Sequence, residues 1–551
     1  MSSTYLLVAA AVRRSAAFAG LIALFAAAPF VLADEPLPAP QEMEAAGLVI
    51  GDITIDNQNI FDLNDPNEDK GLFRLANRLH YRTRPQVIRD QLLFHPGDRY
   101  SARLLEESER ILRSARYLYD ASVRPVAVHD GRVDVAVTTR DVWTLNPGVS
   151  FGRRGGKNTG GFEIEELNLV GTGIALSAGH KSGIDRDSTT FEVKDRHLGG
   201  TWWDLDAQYS SNSDGSLRGL ALQRPFYALD SRWATGFNVL DDDRIDSLYD
   251  LGNIVDQFRD HERLAEVYGG WSKGLSNGWV RRWRIGATYQ ENVFAATPNW
   301  TGVTTLPADR KWVYPWVQFD LIEDDYLKLR NRDQIERTED FYLGARASLR
   351  LGWADTGLGS ARSALMIAGN LGHGLALSDR STLVSAIDLN GRLESGSLRD
   401  AVVEGAVRYY TQQSSRFLFF TTLEGAYGRN LDLDHQLLIG GDNGLRGYPL
   451  RYQGGDRRIL LTVEQRFFSD WYPFRLFRVG AAAFFDVGRT WGETSLGTPS
   501  QGLLKDVGVG LRFGSSRSGL GNIIHVDVAF PLDGDPSIKK VQFLVETKER
   551  F

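Results

Sequence analysis

From about Leu145 to the C terminus, apolar and polar residues take turns along the chain. Trp203, Leu205, Ala207 and Tyr209 alternate with Asp204, Asp206 and Gln208, and Leu343, Ala345, Ala347, Leu349 and Leu351 with Gly344, Arg346, Ser348 and Arg350. Val403, Val407 and Tyr409 alternate with Glu404, Arg408 and Tyr410, and Ile524, Val526, Val528 and Phe530 with His525, Asp527 and Ala529. A period of two marks β-strands with one apolar face. Runs of roughly 8–12 residues suit tilted strands that cross a membrane. Segments rich in Gly, Ser, Asp and Asn separate them, some very long. A soluble sandwich also alternates. Two features favour a closed membrane barrel: the pattern fills residues 145–551 without a helical interruption, and its polar phase is rich in charge, as a water-filled lumen requires.

Residues 47–144 read differently. Leu48 to Ile55 forms a first expected strand. Val87, Ile88, Gln91, Leu92 and Leu93 have helical spacing after Pro85, and His95-Pro96-Gly97-Asp98 breaks the chain. Ser101 is placed as the N-cap of a second helix carrying Leu104, Leu105, Ser108, Ile111, Leu112 and Ala115. Two strands near Ala121–Val128 and Val133–Thr139 flank Asp130-Gly131, a hairpin turn signal. The expected order is β-α-α-β-β. Ahead of it, Arg13 and Arg14 precede an apolar stretch from Ala16 to Leu32, with Val31 and Ala33 at the small positions before Asp34. That is the pattern of an export signal, residues 1–33, followed by a linker, 34–46.

The chain has no cysteine, which excludes thiol catalysis and cysteine-bound metal. Its net charge of −7 gives no electrostatic case for nucleic acid. The nine histidines form no ligand-spaced cluster, so no metal or cofactor is expected. Gly270-Trp271-Ser272-Lys273-Gly274 and Gly274-Leu275-Ser276-Asn277-Gly278 match a serine hydrolase motif, which works only on a strand-to-helix elbow. No helical pattern follows, so a hairpin turn is expected, no catalytic residue is assigned and the chain is read as a non-enzyme. The acidic stretches Asp241-Asp242-Asp243 and Asp432-Leu433-Asp434 read as solvated loops, ahead of contact with ions bridging lipopolysaccharide. Trp202, Trp203, Trp283, Trp312 and Trp316 are expected in the aromatic girdles of a barrel.

Several motifs together resemble the bacterial outer-membrane assembly factors and their relatives, the bacterial surface antigen superfamily. These proteins join polypeptide-transport-associated (POTRA) domains to a C-terminal barrel. The resemblance rests on the β-α-α-β-β order with Pro96-Gly97-Asp98-Arg99-Tyr100 between helices, and on Glu166-Leu167-Asn168-Leu169-Val170-Gly171-Thr172-Gly173 early in the barrel. It rests most on Ile439-Gly440-Gly441 followed by Leu445-Arg446-Gly447-Tyr448, then Glu464 and Phe484-Phe485-Asp486-Val487-Gly488. It implies an α+β POTRA-like periplasmic domain (47–144), only one where the best-known members carry five, and an all-β antiparallel transmembrane barrel (145–551) in the outer membrane. The family barrel has sixteen strands; the alternating runs number up to twenty, as many as fifteen before the long loop and five after it.

The resemblance also implies that the Leu445–Tyr448 tetrapeptide folds back into the barrel and that Arg446 meets Asp486. Parity agrees. Val479, Ala481, Ala483, Phe485 and Val487 form one phase, which puts Asp486 on the lumen side; Ile459, Leu461 and Val463 do the same for Glu464. A planar guanidinium suits such carboxylates. The implied role is insertion or translocation of unfolded outer-membrane or secreted polypeptides, with the lipid bilayer and lipopolysaccharide as surroundings. The alternative from another class is a passive diffusion channel.

Overall fold

In a computed structural model, residues 37–551 are described, apart from 299, 303, 494–501, 520, 522 and 549. The expected export signal, residues 1–33, lies outside the described residues.

The N-terminal residues build a three-stranded sheet. Arg132–Asp141 is central, parallel to Val49–Gln58 and antiparallel to Leu118–His129. The last two strands join at Asp130 and Gly131, both with positive φ, as a tight two-residue hairpin turn requires. Val133, Val135 and Val137 face the helix Ala102–Ser114, whose Leu105 and Leu112 complete a core with Ile88, Leu92 and Phe94. Three details differ from the sequence reading. The region read as linker carries a short helix, Pro40–Ala45, pinned by buried Met43. The helix expected after Pro85 is only Pro85–Arg89, and another, Gly71–Leu79, precedes it, so the order is not β-α-α-β-β. Gly71–Leu79 buries Phe73 and leaves Leu72, Leu75 and Leu79, which stand at helical spacing, exposed. Ser101 stands at the N-cap, but its side chain makes no capping bond.

From Leu145 onward the chain forms a closed antiparallel barrel of twenty strands, fifteen before the long loop and five after it. The family count of sixteen is therefore replaced by the count from alternation. Phe151, Phe162, Ile164, Val267, Ile285 and Leu371 are exposed on the outside. Asp260, Asp486, Asp506 and Arg512 are enclosed. Closure answers a physical demand: backbone N–H and C=O groups have no water partners in hydrocarbon, and a ring of strands leaves no edge. An apolar outer band on such a ring is consistent with the outer membrane.

Two of the five expected girdle tryptophans are not on the outside. Trp312 and Trp316 share the parity of Gln318 and Asp320 and point inward, where the Arg350 guanidinium lies 3.8 Å from the Trp316 ring. Trp283 is exposed outside, with Trp233, Trp271 and Trp353. The acidic stretches are not solvated loops. Asp241–Asp243 lie inside the strand Trp233–Asp250, where Asp242 and Asp243 pair with Arg244 and Arg259. Asp432 and Asp434 hold Arg310, and Asp432 also holds Arg392. Ser272 and Ser276 end the strand Asn253–Ser276, and after the turn Asn277-Gly278 comes another strand, Trp279–Ala296. Phe551 does not continue the last strand, Gln542–Lys548. It turns inward and packs on Phe468.

Candidate functional site

Between the strands Phe417–Arg429 and Arg457–Phe468 the chain does not stay outside the barrel. It forms a small hairpin, Leu437–Ile439 with Gln453–Gly455, whose tip enters the lumen. Ile439, Leu445, Tyr448 and Tyr452 pack on Leu460 and Leu504 of the wall. Two glycines make the approach possible. Gly444 has φ +120, and a Cβ there would stand 2.1 Å from Leu460 Cδ2. A Cβ on Gly447 would lie 2.6 Å from Asp506 Cβ and 3.0 Å from the Pro531 nitrogen. Only hydrogen fits these spaces.

With the backbone that close, the Arg446 guanidinium reaches the far carboxylates. Nε donates to Asp486 Oδ2 at 2.7 Å and Nη2 to Asp486 Oδ1 at 2.9 Å, the two-pronged geometry a carboxylate favours. Nη1 donates to Glu464 Oε1 at 2.9 Å. The cation also lies over the Phe484 ring, 3.4 Å from its centre. Thr462 Oγ1 donates to Asp486 Oδ1 at 2.8 Å, and Arg466 Nε to Glu464 Oε2 at 2.9 Å. Arg446, Asp486, Glu464 and Arg466 are all buried, where ions persist only when paired and hydrogen-bonded. Tyr448, fully buried, fixes the other end of the tetrapeptide: its hydroxyl lies 2.8 Å from the Lys505 carbonyl, and Lys505 N donates back to it at 3.0 Å. Leu445, Arg446, Gly447 and Tyr448 thus all touch the wall, and Asp486 and Glu464 meet one arginine.

Sequence reasoning passed over Thr462, Arg466 and the buried pair Arg512–Asp527, whose bond is 2.5 Å, and named Phe484 only as part of its motif, with no role. Thr462 and Arg466 share the parity of Glu464, and Phe484 that of Asp486, so the alternation that placed the carboxylates could have found them.

A second feature stands where the ring closes. Neighbouring strands pair over long stretches; every residue of Trp233–Asp250, for example, has a partner on Asn253–Ser276, with one shift of register at Leu248/Tyr249. The first and last barrel strands, Leu145–Arg154 and Gln542–Lys548, share one registered pair among the described residues, Val545 with Arg153. A salt bridge from Arg154 Nε to Glu546 Oε1 at 3.3 Å supports it.

Among the described residues no group of three or more His, Asp or Glu is arranged to hold a metal ion. The fold and this geometry define a class: a closed transmembrane-type barrel with an inwardly anchored loop and an N-terminal α+β unit. No protein-family model matches the chain, and no curated protein matches it. Among solved structures the chain is similar to BamA from Haemophilus ducreyi lacking POTRA domains 1-3, at 13% identity over 90% of this chain and 84% of that one, TM-score 0.38. It is also similar to CdiB from Acinetobacter baumannii (14% identity, 91% of this chain, 74% of that one, TM-score 0.45). CdiB from Escherichia coli matches at 11% identity over 91% of this chain and 76% of that one, TM-score 0.46. Values this low carry no function across.

Proposed function

We propose that this chain is an outer-membrane insertase or translocase for unfolded polypeptides, with residues 47–144 acting as a single POTRA-like domain in the periplasm and 145–551 as the barrel. The observation that carries the reading is the closing seam. Separating two strands in hydrocarbon bares N–H and C=O groups at several kcal/mol each, so a barrel opens most cheaply where fewest are paired. Among the described residues that place is between Leu145–Arg154 and Gln542–Lys548, which share one registered pair. A client strand entering the gap would satisfy the exposed groups as they appear, by the strand addition that also suits the sheet edge of the N-terminal unit. Arg446, held by Asp486 and Glu464, would fix the inner loop against the last strands while the seam works. The work is lowering an insertion barrier, and it needs no cofactor.

A passive diffusion channel is the poorer reading, because the loop bearing Arg446 and the connection that carries Ile335, packed on Leu418, Phe420 and Phe468, both stand in the lumen. The test is photo-crosslinking in cells from Val126, an exposed residue of the edge strand Leu118–His129. Adducts with nascent outer-membrane or secreted chains are expected. No adduct from this or neighbouring edge positions, with steady open conductance in bilayers, would reverse the assignment in favour of a channel.

A further inference from the structure

The connection between the strands Arg310–Glu323 and Arg346–Ala354 is not a simple turn. It forms a hairpin, Tyr326–Leu329 with Glu339–Tyr342, whose tip runs into the barrel. Ile335 is buried against Leu418, Phe420, Phe468, Ile523 and Phe551. The strand that carries Ile523 stands nine places from Arg310–Glu323 in a ring of twenty, so the tip crosses the lumen to the far wall. It is held there: the Tyr410 hydroxyl donates to Asp333 Oδ1 at 3.1 Å, and Arg466 Nη1 donates to the Arg332 carbonyl at 2.7 Å. This hairpin is a plug.

The base of the plug meets the N-terminal unit through four charges. Lys328 and Asp340 face each other across the hairpin. Lys328 Nζ lies 2.6 Å from Glu109 Oε1, and Arg113 Nε and Nη2 donate to Asp340 at 2.7 and 2.6 Å. Glu109 and Arg113 sit one turn apart on the helix Ala102–Ser114 and bond to each other. The same two side chains also hold the outer strand of the sheet. Glu109 Oε2 accepts from Val123 N at 2.9 Å, and Arg113 Nη1 donates to the Ala121 carbonyl at 3.0 Å. One step along, Arg337 of the plug donates to the Leu118 carbonyl at 3.3 Å. A strand edge normally offers such groups free to any extended chain. This one has them occupied.

We infer that Glu109 and Arg113 form a coupling switch: they cap the free sheet edge and clamp the plug, so that a polypeptide strand adding to the edge releases the plug from the lumen. The inference rests on the proposed function, since it takes the edge as the place where clients add. An incoming strand needs Val123 N–H and the Ala121 and Leu118 carbonyls for its own ladder. Taking them removes backbone bonds from Glu109, Arg113 and Arg337, three of the residues that tie the plug to this unit, beside Arg110, Tyr119 and Asp120.

The experiment uses the full chain in vesicles with Ile335→Cys as its one thiol, possible because the protein has no cysteine. A membrane-impermeant maleimide reads exposure of the plug tip. Arg113→Ala, and separately Asp340→Asn on the plug side in case the first misfolds, should raise the labelling rate about tenfold or more. A fluorescent extended peptide of alternating apolar and polar residues should raise it similarly in the parent. The same peptide with its backbone amides N-methylated at alternate residues, which cannot form the ladder, should have no effect. Unchanged labelling in both clamp variants overturns the clamp. Faster labelling in them, with a peptide that binds by fluorescence anisotropy but leaves Cys-labelling at the parent rate, overturns the coupling. A peptide that does not bind at all overturns the client-edge reading and the coupling with it, while the clamp variants still report separately.

Discussion

Replacing Arg446 by alanine removes two bonds to Asp486 and one to Glu464, and leaves both carboxylates enclosed without their cation. Breaking a buried pair by deleting one partner costs about 3–5 kcal/mol, chiefly because the remaining charge stays desolvated. Glu464 keeps Arg466 and Asp486 keeps Thr462, so the lower half of that range applies, about 3–4 kcal/mol. At about 1.4 kcal/mol per decade, the ratio of docked to undocked loop falls by roughly two to three orders of magnitude. Leu445 is fully buried beside Arg446, so Leu445→Cys in this cysteine-free chain supplies the probe. Its maleimide reaction rate should rise by that factor in Arg446→Ala, with the barrel still heat-modifiable on gels. Arg446→Lys, which keeps charge but loses the fork, should fall between the two. Equal rates in all three backgrounds would refute the anchor.

Gly447→Ala places a methyl within 2.6 Å of Asp506 Cβ and 3.0 Å of the Pro531 nitrogen, and should undock the loop at a cost of about 1–3 kcal/mol by the same probe. Gly454→Ala is the control: its Cβ meets only Leu438 Cδ2 at 3.4 Å, and labelling should not change. The plug clamp should also respond to acid. Burial raises the Glu109 carboxyl, but bonds from Arg113, Lys328 and the Val123 N–H outweigh it and hold the group below its ordinary value of 4.5, with Asp340 the nearby opposing charge. A depressed carboxyl stabilises the folded clamp above its unfolded value and loses that stabilisation as pH falls through its own. Labelling at Ile335→Cys, taken relative to a free thiol at the same pH because the reacting thiolate itself declines with acid, should therefore be flat from neutral pH to about 4.5 and rise only below it; a relative rise beginning near neutrality would contradict this.

Alternation carried most of the barrel, because a strand's period is two whatever its neighbours do, and a residue's parity tells which wall it faces. Parity puts Asp486 and Glu464 on the lumen side, and it equally puts Trp312 and Trp316 there, against their assignment as girdle residues on type alone. Counting runs gave the ring better than the family number did. The plug was illegible for the opposite reason. Its tip is defined by contacts such as Asp333 with Tyr410 and Arg332 with Arg466, far apart in sequence, and nothing local in residues 324–345 marks a partner across the barrel. The helix Gly71–Leu79 was passed over although Leu72, Leu75, Ala76 and Leu79 stand at helical spacing and could have announced it. The Arg446 tetrapeptide stood out since close backbone approach demands glycines at fixed positions, a constraint visible as letters.

The seam decides the account. Val545 and Arg153 are register partners across it, and antiparallel partners have Cα atoms roughly 4.5–5.5 Å apart, within reach of a disulfide. The Arg153→Cys/Val545→Cys variant, reconstituted in liposomes with a urea-unfolded outer-membrane barrel protein as client, is assayed for client folding by gel mobility. Oxidation is predicted to abolish the acceleration over empty liposomes, and reductant to restore it. Client folding that proceeds as fast through the oxidised, locked ring as through the reduced one would contradict the claim that the barrel works by opening there.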